Sequence, residues 1–160
     1  MKFVIREIEP KDDRQIESVI RSCLIEFGAD HEGTAWADPE LCRLSNAYAE
    51  EGAAYWVVEN DKGEIIGGAG IGKLTGNDKV CELQKMYCLP EARGTGAAQL
   101  LMEKALDFAK KYYSKCYLET LDNMTRAHRF YEQSGFVRIY EPIVKTDHFA
   151  CDVLYIKALD

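Results

Sequence analysis

The chain has 160 residues, of which 47% are hydrophobic and 29% charged, and its net charge is −7 at pH 7. This length suits one domain, residues 1–160, and the composition is that of a soluble globular protein. The apolar runs are far shorter than the ~20 residues of a membrane span, and the early charges are unlike a secretory signal. An acidic chain also lacks the concentrated lysine and arginine of a nucleic-acid surface. We therefore expect a cytoplasmic protein with neither nucleic-acid nor membrane partners.

The cysteines and histidines do not form a recognisable metal motif. Six cysteines occur singly in apolar stretches, without a C-x-x-C pair, and the three histidines are far apart. We expect the cysteines to be small buried hydrophobic residues in a reducing compartment, and we expect no metal. The cysteines are Cys23, Cys42, Cys81, Cys88, Cys116 and Cys151.

The first third of the chain predicts a strand and two helices. A strand over residues 3–8 precedes a helix that Asp12-Asp13 can cap and that Gly28 ends. A polar loop over 28–38 then leads to Pro39, at the favoured first position of a second helix.

From residue 54 the apolar period changes from that of a helix to two, which predicts a hairpin. A third strand, a long amphipathic helix, a strand, a short helix and two strands follow. In chain order these elements are predicted over residues 55–59, 64–73, 80–89, 96–113, 115–121, 124–134, 136–140 and 150–157. The order predicts a mixed α/β (α+β) fold with helices on both faces of the sheet.

A run of small residues, Gly67-Gly68-Ala69-Gly70-Ile71-Gly72, lies inside the second hairpin strand. Glycine weakens strand pairing, so the run needs a reason. Small residues would let a helix or the substrate approach the sheet, and simple close packing is the alternative.

The segment Arg93-Gly94-Thr95-Gly96-Ala97-Ala98 follows a predicted strand and opens a helix. A helix N-terminus presents unpaired N–H groups and positive potential, and glycines let the backbone approach an anion. The loop therefore predicts a phosphate site. It lacks the Gly-Lys-Ser/Thr of a Walker loop, and Gln99 stands where a dinucleotide fingerprint needs Gly or Ala. The pattern Arg/Gln-x-x-Gly-x-Gly/Ala fits as Arg93-x-x-Gly96-x-Ala98.

Two flanking segments extend this pattern. Residues 81–91, CELQKMYCLPE, precede the loop, and residues 127–136, AHRFYEQSGF, follow the next strand. Together they resemble the GNAT superfamily of N-acetyltransferases, most strongly over residues 80–140. The resemblance implies a mixed, mostly antiparallel twisted sheet of about seven strands. The sheet would be splayed between the strands before and after the pyrophosphate-loop helix.

The resemblance also implies that acetyl-CoA is the acyl donor. The backbone of Met86, Tyr87 and Cys88, at a bulge in the strand, would pair with the pantetheine arm and stabilise the oxyanion of a tetrahedral intermediate. The pyrophosphate would lie on residues Arg93, Gly94, Thr95, Gly96, Ala97, Ala98 and Gln99.

Tyr131 matches the general acid of the family, which protonates the departing thiolate. A packed aromatic side chain is the alternative, since Phe130 and Phe136 beside it belong in a core. Glu82 matches a position where several members carry a base for the acceptor amine. Strand alternation would place Glu82, Gln84 and Met86 on one face, and Leu83, Lys85 and Tyr87 on the other.

His148 is a second candidate for the base. It follows Lys145-Thr146-Asp147 in the polar connection between the last two strands, and its ordinary pKa suits proton transfer. A solvated loop histidine is the alternative.

Asn123 marks a departure from the family. Many members carry an asparagine at the position that Met124 occupies here, where it bonds the cofactor. Asn123, one residue earlier, would either take that role or cap the following helix, and we favour the cap.

The acceptor is expected to be a primary amine. The loop 28–38 is acidic and aromatic, which would suit a cationic small molecule; a protein N-terminus or lysine is an alternative, and a homodimer is compatible with the resemblance. Two other classes remain open: a non-catalytic CoA-binding regulatory module and a nucleotide-dependent oxidoreductase.

Overall fold

The computed structural model describes residues 2–144 and 148–160. Lys145, Thr146 and Asp147, predicted as part of the connection before the last strand, lie outside the described residues. Seven strands and four α-helices occur in these ranges. The strands are β1 Phe3–Glu7, β2 Ala54–Asn60, β3 Ile65–Leu74, β4 Asn77–Cys88, β5 Lys115–Thr120, β6 Val137–Ile139 and β7 Val153–Ala158. The helices are α1 Asp13–Glu26, α2 Leu44–Ala47, α3 Ala97–Ala109 and α4 Thr125–Gln133.

The strands form one sheet in the order β1-β2-β3-β4-β5-β7-β6. Neighbouring strands are antiparallel except for β4 and β5, which are parallel. The mixed, mostly antiparallel sheet of seven strands that the resemblance implied is thus confirmed. No helix within the described ranges is long and apolar enough to cross a membrane.

Strand alternation builds two cores, one on each face of the sheet. In β2, Trp56 and Val58 pack with α3, whereas Tyr55 and Val57 pack with α1. Both sets are buried because helices cover both faces, as the element order predicted. Tyr131 of α4 lies in the same core as α3.

The second predicted helix is interrupted. Pro39 does open a helical segment, but residues Pro39–Arg43 form a 3₁₀ helix and the α-helical part is only the four residues of α2. The chain leaves helical geometry at Arg43, with φ of −145°. Asp13 of α1 then accepts hydrogen bonds from the Ser45 N–H at 2.9 Å and from its hydroxyl at 2.7 Å. This carboxylate from another helix caps the restarted segment.

Two smaller expectations are wrong. Cys42 is exposed rather than buried, although all six cysteines are free thiols. Asn123 does not cap α4, because the cap position is Met124 and no side chain fills it. The Asn123 amide instead donates to the Phe27 carbonyl at 2.8 Å, which joins this loop to the end of α1.

Candidate active site

An opening in the sheet lies between β4 and β5. Their pairing runs only from Val80 with Lys115 to Glu82 with Tyr117. Within the described ranges, residues 83–88 of β4 then have no strand partner on the β5 side. A cavity of about 50 Å³ fills the opening.

A bulge in β4 widens this opening. Gly68 of β3 pairs with Tyr87 and Gly70 pairs with Gln84, so two residues of β4 stand opposite one of β3. Lys85, the first of the two, has φ of +50°, which is rare for a residue other than glycine. Tyr55 holds it by donating its hydroxyl to the Lys85 carbonyl at 2.7 Å.

Because of the bulge, the expected alternation along β4 is wrong beyond Gln84. Gln84 bonds Tyr48 on the face of the sheet that α1 covers, and Lys85 points to the same face. Met86 therefore packs on the opposite side, with α3, and does not share the face of Glu82 and Gln84. One extra residue reverses the facing of every later side chain.

Glu82 lines the cavity and is buried, with 8% of its surface exposed. Its Oε1 accepts a hydrogen bond from Gln84 Nε2 at 2.7 Å. Burial raises the pKa of Glu82, and the charge of Glu119 adds to the rise, while Gln84 and His148 oppose it. A carboxyl with a raised pKa is a stronger base than an exposed one, which suits proton transfer.

Tyr131 reaches the cavity from the α3 side of the sheet. Its ring packs against Phe136 and Tyr155, at centroid distances of 6.2 and 6.0 Å. Burial raises the pKa of the Tyr131 hydroxyl, which therefore keeps its proton at neutral pH. This hydroxyl forms no hydrogen bond with any residue in the described part of the chain. Tyr131 is thus both a core residue and a protonated hydroxyl that lines the cavity.

Three segments meet beside Glu82 through a buried ion cluster. Asp38, in the loop after α1, binds the Lys85 ammonium at 2.7 Å and His148 Nε2 at 2.9 Å. Burial lowers the pKa of His148, but the hydrogen bond to Asp38 and the negative charges of Asp38 and Glu82 together outweigh burial, and the net shift is upward. His148, which also lines the cavity, is therefore not a solvated bystander. The cluster was not predicted, since nothing in the sequence pairs a bulge lysine with a loop 47 residues earlier.

The glycine loop lies just beyond the end of β4. Gly94 and Gly96 have φ of +76° and +91°, and Gly96 is the cap residue of α3. A Cβ at either glycine would meet nothing within 4 Å, so the loop faces open space. The Ala97 N–H donates to the Thr95 hydroxyl at 3.3 Å, and the next N–H groups of the first turn of α3, those of Ala98 and Gln99, are the ones that an anion site there would use.

The Arg93 guanidinium lies away from this loop. It binds Glu26 of α1 at 2.7 and 2.8 Å, and its Nε donates to the Cys88 carbonyl at 3.1 Å. The side chain therefore joins α1 to the end of β4. No group of three or more His, Cys, Asp or Glu side chains among residues 2–144 and 148–160 could hold a metal ion.

Comparisons with known proteins agree with this architecture. The profile of the Acetyltransferase (GNAT) family matches residues 16–136. The uncharacterized N-acetyltransferase YjgM of Escherichia coli (strain K12) is 40% identical over 159 residues, covering 98% of this chain and 95% of that protein. A GNAT acetyltransferase structure from Staphylococcus aureus Mu50 superposes with a TM-score of 0.87 at 23% identity, over 99% of this chain and 100% of the other.

A second solved structure carries a ligand. The PaiA N-acetyltransferase of Thermoplasma acidophilum, in complex with coenzyme A, has a TM-score of 0.76 and 18% identity, covering 99% of both chains. At 23% and 18% identity, the two structures show only that the fold is shared. The family profile and the E. coli relative show that the chain is a member of the family. These matches give no support to the interpretation of the glycine loop as the nucleotide site of an oxidoreductase. The chain is an acyltransferase and belongs to the GNAT family of acetyltransferases.

Proposed function

We propose that this protein transfers the acetyl group of acetyl-CoA directly to a primary amine in the opening between β4 and β5. The observation that carries the proposal is the arrangement of the opening itself. The unpaired stretch of β4 ends at the glycine loop, with Tyr131 on one face of the sheet and Glu82 on the other.

The donor would lie along β4 and end at the loop. The backbone of Met86, Tyr87 and Cys88 belongs to the unpaired stretch and would pair with the pantetheine arm as an added strand, except at the Cys88 carbonyl, which accepts from Arg93 Nε. The N–H groups at the start of α3, from Gly94 to Gln99, would hold the pyrophosphate. The PaiA structure, which contains coenzyme A, supports this assignment by its shared fold.

Arg93 and Asn123 have a less direct part in donor binding. Both side chains bond to α1 or its C-terminal end. Arg93 would have to exchange Glu26 for a phosphate, and Asn123 would have to leave Phe27. We therefore assign the pyrophosphate to the backbone of the loop, with Arg93 adding positive potential.

The transfer step needs one base and one acid. Glu82 would take a proton from the acceptor ammonium, either directly or through water, so that the neutral amine attacks the thioester carbonyl. The N–H groups of the bulged strand would stabilise the oxyanion of the tetrahedral intermediate. As the C–S bond breaks, the Tyr131 hydroxyl would give its proton to the thiolate of CoA. The second proton of the attacking nitrogen would then pass to the Tyr131 oxygen, directly or through water, and leave the neutral amide.

The decisive test is thiol release from acetyl-CoA over a panel of polyamines, amino acids, aminoglycosides and peptides. For the best acceptor, Tyr131→Phe should lower kcat by about 10²-fold with little change in the affinity for acetyl-CoA. Tyr155→Phe is the matched control, because that hydroxyl binds Glu132 at 2.6 Å instead of lining the cavity. CoA binding without turnover of any acceptor would favour the non-catalytic regulatory module instead.

A further inference from the structure

One oxygen of the Glu82 carboxylate is held and the other is available. Oε1 accepts the hydrogen bond from Gln84, whereas Oε2 accepts none from the described residues. No buried side-chain oxygen or nitrogen in that part of the chain lacks a partner, so Oε2 must still reach solvent through the cavity. The carboxylate therefore has a fixed end and a reactive end.

The orientation of Gln84 is set in turn by Tyr48. The Tyr48 hydroxyl donates to Gln84 Oε1 at 2.7 Å, which leaves Nε2 toward Glu82. Burial raises the pKa of Tyr48 far above its ordinary value, so the hydroxyl remains a donor. A flipped Gln84 amide would place its carbonyl oxygen against the carboxylate and lose that hydrogen bond, and it would keep a bond to Tyr48 only if the hydroxyl turned from donor to acceptor.

Two glycines of β3 make room for these side chains. A Cβ at Gly72 would overlap the Gln84 amide, and one at Gly70 would lie 3.0 Å from the Tyr48 ring. Neither glycine has positive φ, so the backbone does not require glycine at these positions. Gly72 therefore leaves room for the Gln84 amide, and Gly70 leaves room for the rings of Tyr55, at 2.6 Å from such a Cβ, and of Tyr48.

We propose that Gln84 and Tyr48 are positioning residues of the acetyl transfer, which orient Glu82 and hold its carboxylate ionised for the acceptor amine. This inference rests on the proposed function, in which Glu82 is the base. Gln84 donates to the charged form of Glu82, and such a bond favours ionisation. Among the charged groups around Glu82, Glu119 of β5 favours its protonated form, and His148 and Lys85 favour ionisation. The neutral titratable groups beside it are the hydroxyls of Tyr48 and Tyr117 and the thiols of Cys116 and Cys151.

The first test is the pH profile of kcat/KM in Gln84→Leu, which keeps the size of the side chain and removes the amide. Loss of a bond to a charged group should move the acidic limb upward by about one pH unit and lower kcat/KM below that limb about tenfold. Tyr48→Phe should move the acidic limb in the same direction by less, because the Gln84 amide stays but can flip. The pKa of the acceptor is the same throughout, so a difference belongs to the enzyme.

The second test measures the titration of the Glu82 carboxyl in the absence of any reaction. Carbon-13 carboxyl titration of the protein alone, with the signal assigned by its loss in Glu82→Gln, should show the same upward shift in Gln84→Leu. Gly72→Ala, which displaces the Gln84 amide, should reproduce the shift. Tyr113→Phe is the matched control, since it also loses a buried tyrosine bond, to the Gly52 carbonyl at 2.6 Å, and Tyr113 packs in the core of α3 without bonding Gln84 or Glu82.

Each outcome decides the inference. Parallel shifts of the Glu82 titration and of the rate limb, absent in Tyr113→Phe, support it. A Glu82 titration that is unmoved in Gln84→Leu and Gly72→Ala overturns it, as does a moved titration with an unmoved rate limb. Full activity of Glu82→Gln would instead refute Glu82 as the base, which is a failure of the proposed function.

Discussion

Gly96 and Gly76 share a conformation but differ in their surroundings, which allows a matched test of the phosphate loop. Both have φ of +91° and open space where a Cβ would stand, but only Gly96 starts α3. Gly96→Glu and Gly76→Glu should each cost about 1 kcal/mol of unfolding free energy, since both force a side chain into left-handed geometry. Only Gly96→Glu should abolish CoA binding, measured by calorimetry, because its carboxylate would meet the pyrophosphate.

Equal CoA affinity in the two variants would contradict the loop assignment. The stability cost is the internal check, because it should be the same in both proteins by urea denaturation. A loss of binding in both variants would point to a general effect of the added charge.

At the level of single residues, the sequence identified side chains but not their hydrogen bonds. Glu82, Tyr131 and His148 were singled out, and all three line the cavity. Strand alternation placed Gln84 on the face of Glu82, but nothing in the sequence predicted the bond between them, and the bulge turned Lys85 to a face that alternation did not predict. A positive φ at a lysine has no sequence signal, since glycine and asparagine are the residues that usually mark that conformation.

The ion pair between the loop after α1 and β4 makes a prediction at the level of elements. The side chains of Lys85 and Asp38 are only 4% and 10% exposed. Without Asp38, the buried Lys85 charge keeps, among the described residues, only Glu40, at 3.6 Å and 37% exposed, so Asp38→Asn should cost about 3 kcal/mol of unfolding free energy. The double variant Asp38→Asn/Lys85→Met should recover part of that loss in a double-mutant cycle.

An exposed pair supplies the control for this cycle. Glu50 and Lys73, 3.8 Å apart with side chains 58% and 55% exposed, should contribute less than about 1 kcal/mol when Glu50→Gln is measured in the same way. Strict additivity in the Asp38 and Lys85 cycle would show that the pair does not connect the two elements energetically.

Most elements could be predicted because their signals are local. The signals for the β2–β3 hairpin, for the start of α1 at Asp13 and for the start of α3 after Gly96 each lie in consecutive residues. The expected cap of α1 is wrong, because the Asp12 carboxylate bonds Arg6 and the Glu9 N–H instead of the helix. The second helix was predicted less well because Asp13, a residue of another helix, caps its restarted part at Ser45. The splay between β4 and β5 came from the family resemblance alone.

For the whole molecule, the paired carboxylates determine how stability responds to acid. Burial would raise the pKa values of Asp12 and Asp38, but their hydrogen-bonded cationic partners outweigh burial and lower both below the ordinary 3.8. A carboxylate of this kind contributes stability above its unfolded pKa, and that contribution is lost as the pH falls through its folded pKa. The protein should therefore lose stability steeply below about pH 4.

The raised pKa values of His148 and Glu82 affect stability as the pH increases. Both have pKa values raised above their ordinary 6.5 and 4.5. Stability linked to such groups is complete below the unfolded pKa and is lost as the pH rises through the folded one. Net charge acts in the same direction, because the chain moves away from its pI of about 5.1 as the pH rises. Urea midpoints should therefore fall from a maximum near pH ~5 toward pH ~8. His148→Gln should make the fall of the urea midpoint above pH 6.5 less steep. His31→Gln, at an exposed site, is the control and should leave that fall unchanged. An equal fall in both variants would show that the Asp38–His148 contact does not contribute to it.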